Sequence, residues 1–153
     1  MSDAPDLDGI RFAAATPDWL PRILALLRGM HLPVDDISAD APSGFELALD
    51  RTGEVVGMAG LELAGSDALL RSVAVAPDWR GRGLGRELVA RREAAAREAG
   101  VAAVYLLTTD ADGYFRRLGY LDVLRDAVPA AIAAHAQFRR LCPASAKCLA
   151  KRL

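Results

Sequence analysis

The sequence predicts an α/β domain built on a mixed central sheet. Three observations lead there. The elements follow the order β-α-loop-β-β-β-α-β-α-β with a late strand, a mixture of strand runs and crossover helices. A strand pattern at Leu69–Val75 passes through a Pro-Asp turn and a glycine/arginine loop directly into a long helix. The chain has 153 residues, 52% apolar and 25% charged, which suffices for one packed core and argues against disorder.

Residues 1–8 read as a flexible acidic tail and residues 9–153 as a single domain. Ile10 to Ala13 is a short strand. Thr16-Pro17 reads as an N-cap with proline at the first helical position, and Trp19, Leu20, Ile23, Leu24 and Leu27 recur at helical spacing up to Gly29. His31 to Pro42 has no period and reads as a loop. Phe45–Asp50, the turn Arg51-Thr52-Gly53 and Glu54–Leu63 form a hairpin, in which Gly57 and Gly60 signal a bulge or a close neighbour.

After the strand Leu69–Val75, a helix runs from Leu84 to Ala99 and stops at Gly100. Glu87–Arg91 and Glu93–Arg97 are i,i+4 pairs expected on its wet face. Val101–Leu107 is an uncharged, buried-type strand. Asp110 caps a short helix, Ala111–Leu118, closed by Gly119. A strand near 120–125, a helix over Pro129–Phe138 and a last strand at Lys147–Arg152 complete the chain.

The loop carries the chemistry. Arg80, Arg82 and Arg86 interleave with Gly81, Gly83 and Gly85. Glycine lets a backbone turn tightly and approach a ligand. A helix start offers free N–H groups and partial positive charge to phosphate, and arginines add forked donors. The pattern is not a Walker A loop, because Gly85 is followed by Arg86-Glu87. It is not the dinucleotide fingerprint either, because Gly81-x-Gly83 continues as Leu84-Gly85-Arg86. Arg-x-x-Gly-x-Gly at Arg80, Gly83 and Gly85, after Val73-Ala74-Val75-Ala76-Pro77, does fit. In this it resembles the acetyl-coenzyme A signature of the GNAT N-acetyltransferases, and the resemblance extends over nearly the whole chain.

That resemblance implies the acyl-CoA N-acyltransferase fold, with the strands Leu69–Val75 and Val101–Leu107 as parallel neighbours that splay apart around the cofactor arm. It implies acetyl transfer from acetyl-CoA to a primary amine of a small molecule, by direct attack in a ternary complex. The backbone of Val73, Ala74 and Val75 would pair with the cofactor arm. Residues Arg80, Gly81, Arg82, Gly83, Leu84, Gly85 and Arg86 would hold the pyrophosphate. The usual thiolate acid of the family is a tyrosine that falls where this chain has Phe115; Tyr114, one residue earlier, or solvent would serve. An attacking amine must lose a proton, and Glu62 and His31 are the candidate bases. Arg71 either binds an anionic substrate or faces solvent.

Two finer resemblances concern the acceptor. Tyr105–Tyr120 and Val128-Pro129 are similar to the acetyltransferase domain of N-acetylglutamate synthases. Where those close with Arg-Asn-Ser, this chain has Pro143-Ala144-Ser145: Ser145 remains as a substrate-binding candidate and the arginine is absent. Phe138–Ala146, Ala68–Val75 and Leu32-Pro33 resemble small stand-alone proteins associated with bacterial arsenic resistance, the preferred group. Cys142 and Cys148 are either thiolate ligands for a trivalent arsenical or small buried residues. The alternatives are a glutamate N-acetyltransferase, transfer of another acyl group, and a non-catalytic acetyl-CoA sensor that Phe115 would suit.

Composition narrows the partners. A net charge of −1 and 6% aromatic residues give no footprint for nucleic acid. No apolar run reaches spanning length, no signal peptide opens the chain, and two histidines and two cysteines supply no zinc spacing. The expectation is a cytoplasmic enzyme without a metal, with acetyl-CoA as acyl donor; a homodimer is compatible with the fold.

Overall fold

In a computed structural model, the structure describes residues 7–32, 34, 37, 44–135, 138 and 145–153. Among the described residues, seven strands hydrogen-bond in one mixed sheet: β1 (Arg11–Ala14), β2 (Phe45–Leu49), β3 (Val55–Ala64), β4 (Asp67–Val75), β5 (Ala103–Thr108), β6 (Leu121–Val123) and β7 (Lys147–Arg152). Their order is β1-β2-β3-β4-β5-β7-β6. The helices are α1 (Leu20–Gly29), α2 (Leu84–Glu98), α3 (Asp112–Arg117) and α4 (Ala130–Ala133).

The chain divides into two compact units. The first comprises residues 1–60 and 72–92. Its core joins Ile23 and Leu27 of α1 to Phe45, Leu47 and Leu49 of β2, Met58 of β3 and Ala74 of β4. The β2–β3 hairpin is closed by Asp50, whose Oδ1 accepts from Thr52 N (2.8 Å), Thr52 Oγ1 (2.7 Å) and Glu54 N (3.0 Å); Gly53 supplies the left-handed residue at φ 85°. Both meanings of Gly57 hold. The register slips between Ala48 and Leu49 opposite it, and a Cβ at Gly57 would lie 3.0 Å from Leu84 Cδ2 and 3.1 Å from Leu88 Cδ1. The bare glycine thus lets the first turns of α2 sit on β3.

The second unit comprises residues 61–71 and 93–153. There β4 runs parallel to β5 at Ala68↔Val104 and Leu69↔Tyr105. β5 is antiparallel to β7 over six pairs, Ala103↔Arg152 to Thr108↔Lys147, and β6 lies on the other side of β7.

Several local expectations change. Thr16 occupies the N-cap position without a side-chain cap, and Pro17–Trp19 form a 3₁₀ turn before α1. Asp110 does not cap α3; the Ala111 N–H instead donates to Thr108 Oγ1 at 3.0 Å. Arg91 is exposed on α2, as expected, but its hydrogen bonds go beyond the helix. Its guanidinium donates to both oxygens of buried Glu46 at 2.9 and 2.7 Å, a bidentate pair that outcompetes an exposed i,i+4 contact. Glu93 is itself buried and accepts from the Tyr120 hydroxyl at 2.9 Å and from Lys151 Nζ. The helix expected over Pro129–Phe138 is helical at Ala130–Ala133. Ile132 is its buried residue, and residues 136–137 of the expected helix lie outside the described residues. The 33–42 loop apart from 34 and 37, residues 1–6 of the tail, and Cys142 with Pro143-Ala144 lie outside the described residues.

Candidate functional site

In the first unit, the strand end, loop and helix start form a continuous run. Ala74 is buried in the core, and Val73 and Val75 on either side are half-buried. Ahead of them Ser72 adopts φ 55° within β4. A non-glycine residue in the left-handed region costs roughly 1–2 kcal/mol, so the packing around β4 must hold it there. Such backbone outliers cluster where a ligand is gripped.

After Val75 the chain makes a 3₁₀ turn at Pro77–Trp79, with Ala76 N donating to Val56 O at 2.8 Å. Arg80 Nε donates to Val75 O at 3.2 Å, folding the loop back on the strand end. Arg82 lies over the Trp79 ring at 4.5 Å, a cation–π contact that restrains its side chain. Gly81 (φ 77°) and Gly83 (φ 88°) both need the left-handed conformation that glycine adopts freely. Helix α2 then begins at Leu84, which is buried, and its first α-helical bond runs from Glu87 N to Gly83 O at 3.1 Å. The N–H groups of Leu84, Gly85 and Arg86 therefore have no intrahelical acceptor. Three open amides, a partial positive charge and the loop arginines suit a diphosphate.

In the second unit, Glu62 of β3 is the hub of a polar cluster. Its Oε1 receives Arg71 Nη1 at 3.5 Å, and its Oε2 is in contact with His135 Nε2. The Arg71 side chain is 0% exposed, His135 17% and Glu62 32%. Arg71 does not face solvent; its guanidinium is turned to Glu62. His135 carried no role in the sequence reading. It lies 73 positions from Glu62, and only the alanine-rich helix pattern marked its neighbourhood. The other candidate base, His31, is exposed after α1 in the first unit, with φ 58°.

Tyr114 is half-buried on α3, its ring edge-on to Phe115 at 5.3 Å. Phe115 is buried and in turn edge-on to Tyr120 at 5.7 Å. Phe115 is thus a core aromatic, and Tyr114 is the more accessible of the pair. Ser145 is an exposed turn residue ahead of β7.

Cys148 is buried on β7, and burial pushes its thiol up to about 11 from an ordinary 9.0. It is therefore a neutral thiol at neutral pH, poorly suited to a soft metalloid. The unfolded chain releases this proton near pH 9 while the folded chain retains it. Stability present below pH 9 is accordingly lost as pH rises towards 11, and Tyr120, also raised by burial, acts in the same direction. Cys148→Ala should flatten the fall of the urea midpoint between about pH 9 and 11, the window those values set; an unchanged slope would discount the buried thiol. Among the described residues no group of three or more His, Cys, Asp or Glu could hold a metal ion, and no helix is long and apolar enough to cross a membrane.

Comparison with known proteins yields one family, described as "Acetyltransferase (GNAT) family", matching residues 14–137. An uncharacterized N-acetyltransferase of Chlorobaculum tepidum is 36% identical over 81 residues, 52% of each chain. An amino-acid acetyltransferase of Ectopseudomonas mendocina is 37% identical over 94 residues, 60% of this chain and 22% of that one. These matches thus span about half and about a fifth of the relatives' lengths. N-acetylglutamate synthase from Neisseria gonorrhoeae, solved with coenzyme A and N-acetyl-glutamate, superposes with a TM-score of 0.80 at 22% identity, over 94% of this chain and 35% of that one. A Mycobacterium tuberculosis protein solved with CoA gives 0.78 at 23%, over 94% and 99%. At these identities the structural likeness speaks for the fold.

Proposed function

From the premise that the chain belongs to the acetyltransferase (GNAT) family, we propose that it transfers the acetyl group of acetyl-CoA to a primary amine of a small molecule. The carrying observation is the loop itself. Two left-handed glycines, Gly81 and Gly83, deliver the chain into a helix start whose first three amides are open and flanked by Arg80, Arg82 and Arg86. In this reading Arg80 to Arg86 hold the pyrophosphate, and the backbone of Val73, Ala74 and Val75 pairs with the amide-bearing arm. Acetyl-CoA supplies an activated thioester. The protein must then take a proton from the acceptor ammonium and return one to the leaving sulfur. The Glu62 cluster is suited to the first task, and Tyr114 to the second. The proposal places the protein in the cytoplasm, where acetyl-CoA is available, as one functional domain over residues 9–153.

The preferred acceptor is a small amine of the kind handled by stand-alone, arsenic-resistance-associated members, as the C-terminal sequence suggests. A second reading, an amino acid such as glutamate, is supported by the similarity to amino-acid acetyltransferases at 34–37% identity. Release of free coenzyme A thiol from acetyl-CoA, measured against glutamate, other amino acids, polyamines, peptides and amino-bearing organoarsenicals, separates them. Strong release with an organoarsenical supports the preferred reading, and glutamate as best acceptor supports the second. Tight coenzyme binding without release on any amine favours the sensor alternative.

A further inference from the structure

We infer that Arg82, held by Trp79, is a separate subsite for the phosphate monoester on the ribose of the acyl donor. It makes the protein distinguish coenzyme A from its 3′-dephospho form. This subsite presupposes the acetyltransferase reading and deepens it, by setting Arg82 apart from the groups that meet the diphosphate. Every residue involved lies in the first unit.

The loop arginines are held in different ways. Arg80 turns its Nε back to Val75 O at 3.2 Å, so part of its fork is spent on the strand end. Arg86 is exposed in the first turn of α2. Arg82 is exposed between them, its guanidinium 4.5 Å over the Trp79 ring. Trp79 is a firm support. It is half-buried and ends the Pro77–Trp79 turn, where its N–H donates to Ala76 O at 2.9 Å, and proline at the first position fixes that turn. The cation–π contact occupies one face of the guanidinium. The N–H donors lie in the plane of the group, so the stack orients the fork without consuming it. The flanking backbone explains why a support is needed. Arg82 stands between Gly81 and Gly83, the two most permissive residues of the loop. A long side chain there carries rotamer freedom whose loss on binding weakens affinity, and ordering it beforehand on a ring removes that cost.

The donor has two anionic regions of different chemistry. Its diphosphate bridge has fewer terminal oxygens on each phosphorus and suits main-chain amides, which stand open at the start of α2. The monoester on the ribose presents three acceptor oxygens and carries a charge of about −1.5 to −2 at neutral pH. A planar fork of parallel donors matches such a group bidentately. The amides of Leu84, Gly85 and Arg86, with the partial charge of the helix, serve the first region. Arg82, fixed ahead of those amides and outside the helix, serves the second.

Titration calorimetry with coenzyme A and with 3′-dephospho-coenzyme A tests the subsite and needs no acceptor. The wild-type protein should prefer coenzyme A by at least about 10-fold, the scale of a hydrogen bond to a charged group. Arg82→Gln should bring that preference to within about twofold of unity. Trp79→Leu keeps the arginine and removes its support, and should reduce the preference by about threefold, the scale of an exposed cation–π contact. Trp79→Tyr keeps a ring and should restore it. Arg86→Gln should weaken both ligands by a similar factor and keep the ratio, as a diphosphate contact would. Thermal melts confirm that each variant is folded. If the wild-type protein binds the two ligands equally, or if Arg82→Gln weakens both alike, the subsite is overturned while the acetyltransferase reading stands. If the wild-type protein binds neither ligand, that broader reading fails, and the subsite with it.

Discussion

Glu93→Ala should destabilise the protein by about 3–5 kcal/mol, the cost of removing one partner of a buried ion pair. Its carboxylate accepts from the hydroxyl of Tyr120, a side chain with 0% exposure, at 2.9 Å. It also accepts from Lys151 Nζ at 3.1 and 3.2 Å, and the same ammonium donates to Leu118 O at 2.9 Å. Without Glu93, a largely buried ammonium loses its counter-ion and a buried phenol loses its acceptor. A domain's whole stability is typically about 5–15 kcal/mol, so the loss is a large share of it. Glu93→Gln keeps an acceptor for Tyr120 and should cost less. Exposed Glu98, on the same helix, is the control, and its alanine variant should stay within about 0.5 kcal/mol of wild type. Urea titration of the three variants decides the point. A loss below about 1 kcal/mol for Glu93→Ala would mean that the network is dispensable.

Gly83→Val should weaken coenzyme A binding by at least about 100-fold, equivalent to roughly 2.7 kcal/mol. Two effects combine. A β-branched residue is a genuine outlier at φ 88°, so the loop must change shape. The residue also stands immediately before the three open amides of α2, where an added side chain competes with a phosphate for space. Gly53→Val separates strain from site. Gly53 has nearly the same φ, 85°, in the β2–β3 turn, with nothing within 4 Å of an added Cβ. Both substitutions should lower the melting temperature, and only Gly83→Val should abolish the calorimetric signal of coenzyme A. Equal affinities in the two variants would remove the loop from the binding site.

The elements of the fold were legible because each is written locally. The Asp50–Gly53 turn, the glycine/arginine loop and the apolar spacing of α1 need no distant residue to be recognised. The polar connections were not legible, because each is a choice among partners far apart in the chain. Glu93 reads as one of two glutamates spaced for an arginine on α2, yet its partners are 27 and 58 residues away. Arg91, four residues after Glu87, likewise hydrogen-bonds Glu46, 45 residues earlier. His135 could not be connected to Glu62 by any periodicity, since neither lies in a motif. Ser72 is a different failure. Serine carries no signature for the left-handed region, unlike the glycines at 81 and 83, so the kink in β4 at φ 55° could not be read from its local sequence.

That kink also bears on how specificity can change over time. If the donor is gripped by main-chain groups of Val73 and Val75, its recognition depends on the path of the strand and hardly at all on which small apolar residues occupy it. Substitutions at those positions would then pass unnoticed by the donor. If the acceptor is instead met by side chains such as Glu62, as proposed, its recognition depends on their identity. A lineage could exchange these and acquire a new amine while retaining the same acyl source, so the two preferences are free to evolve independently.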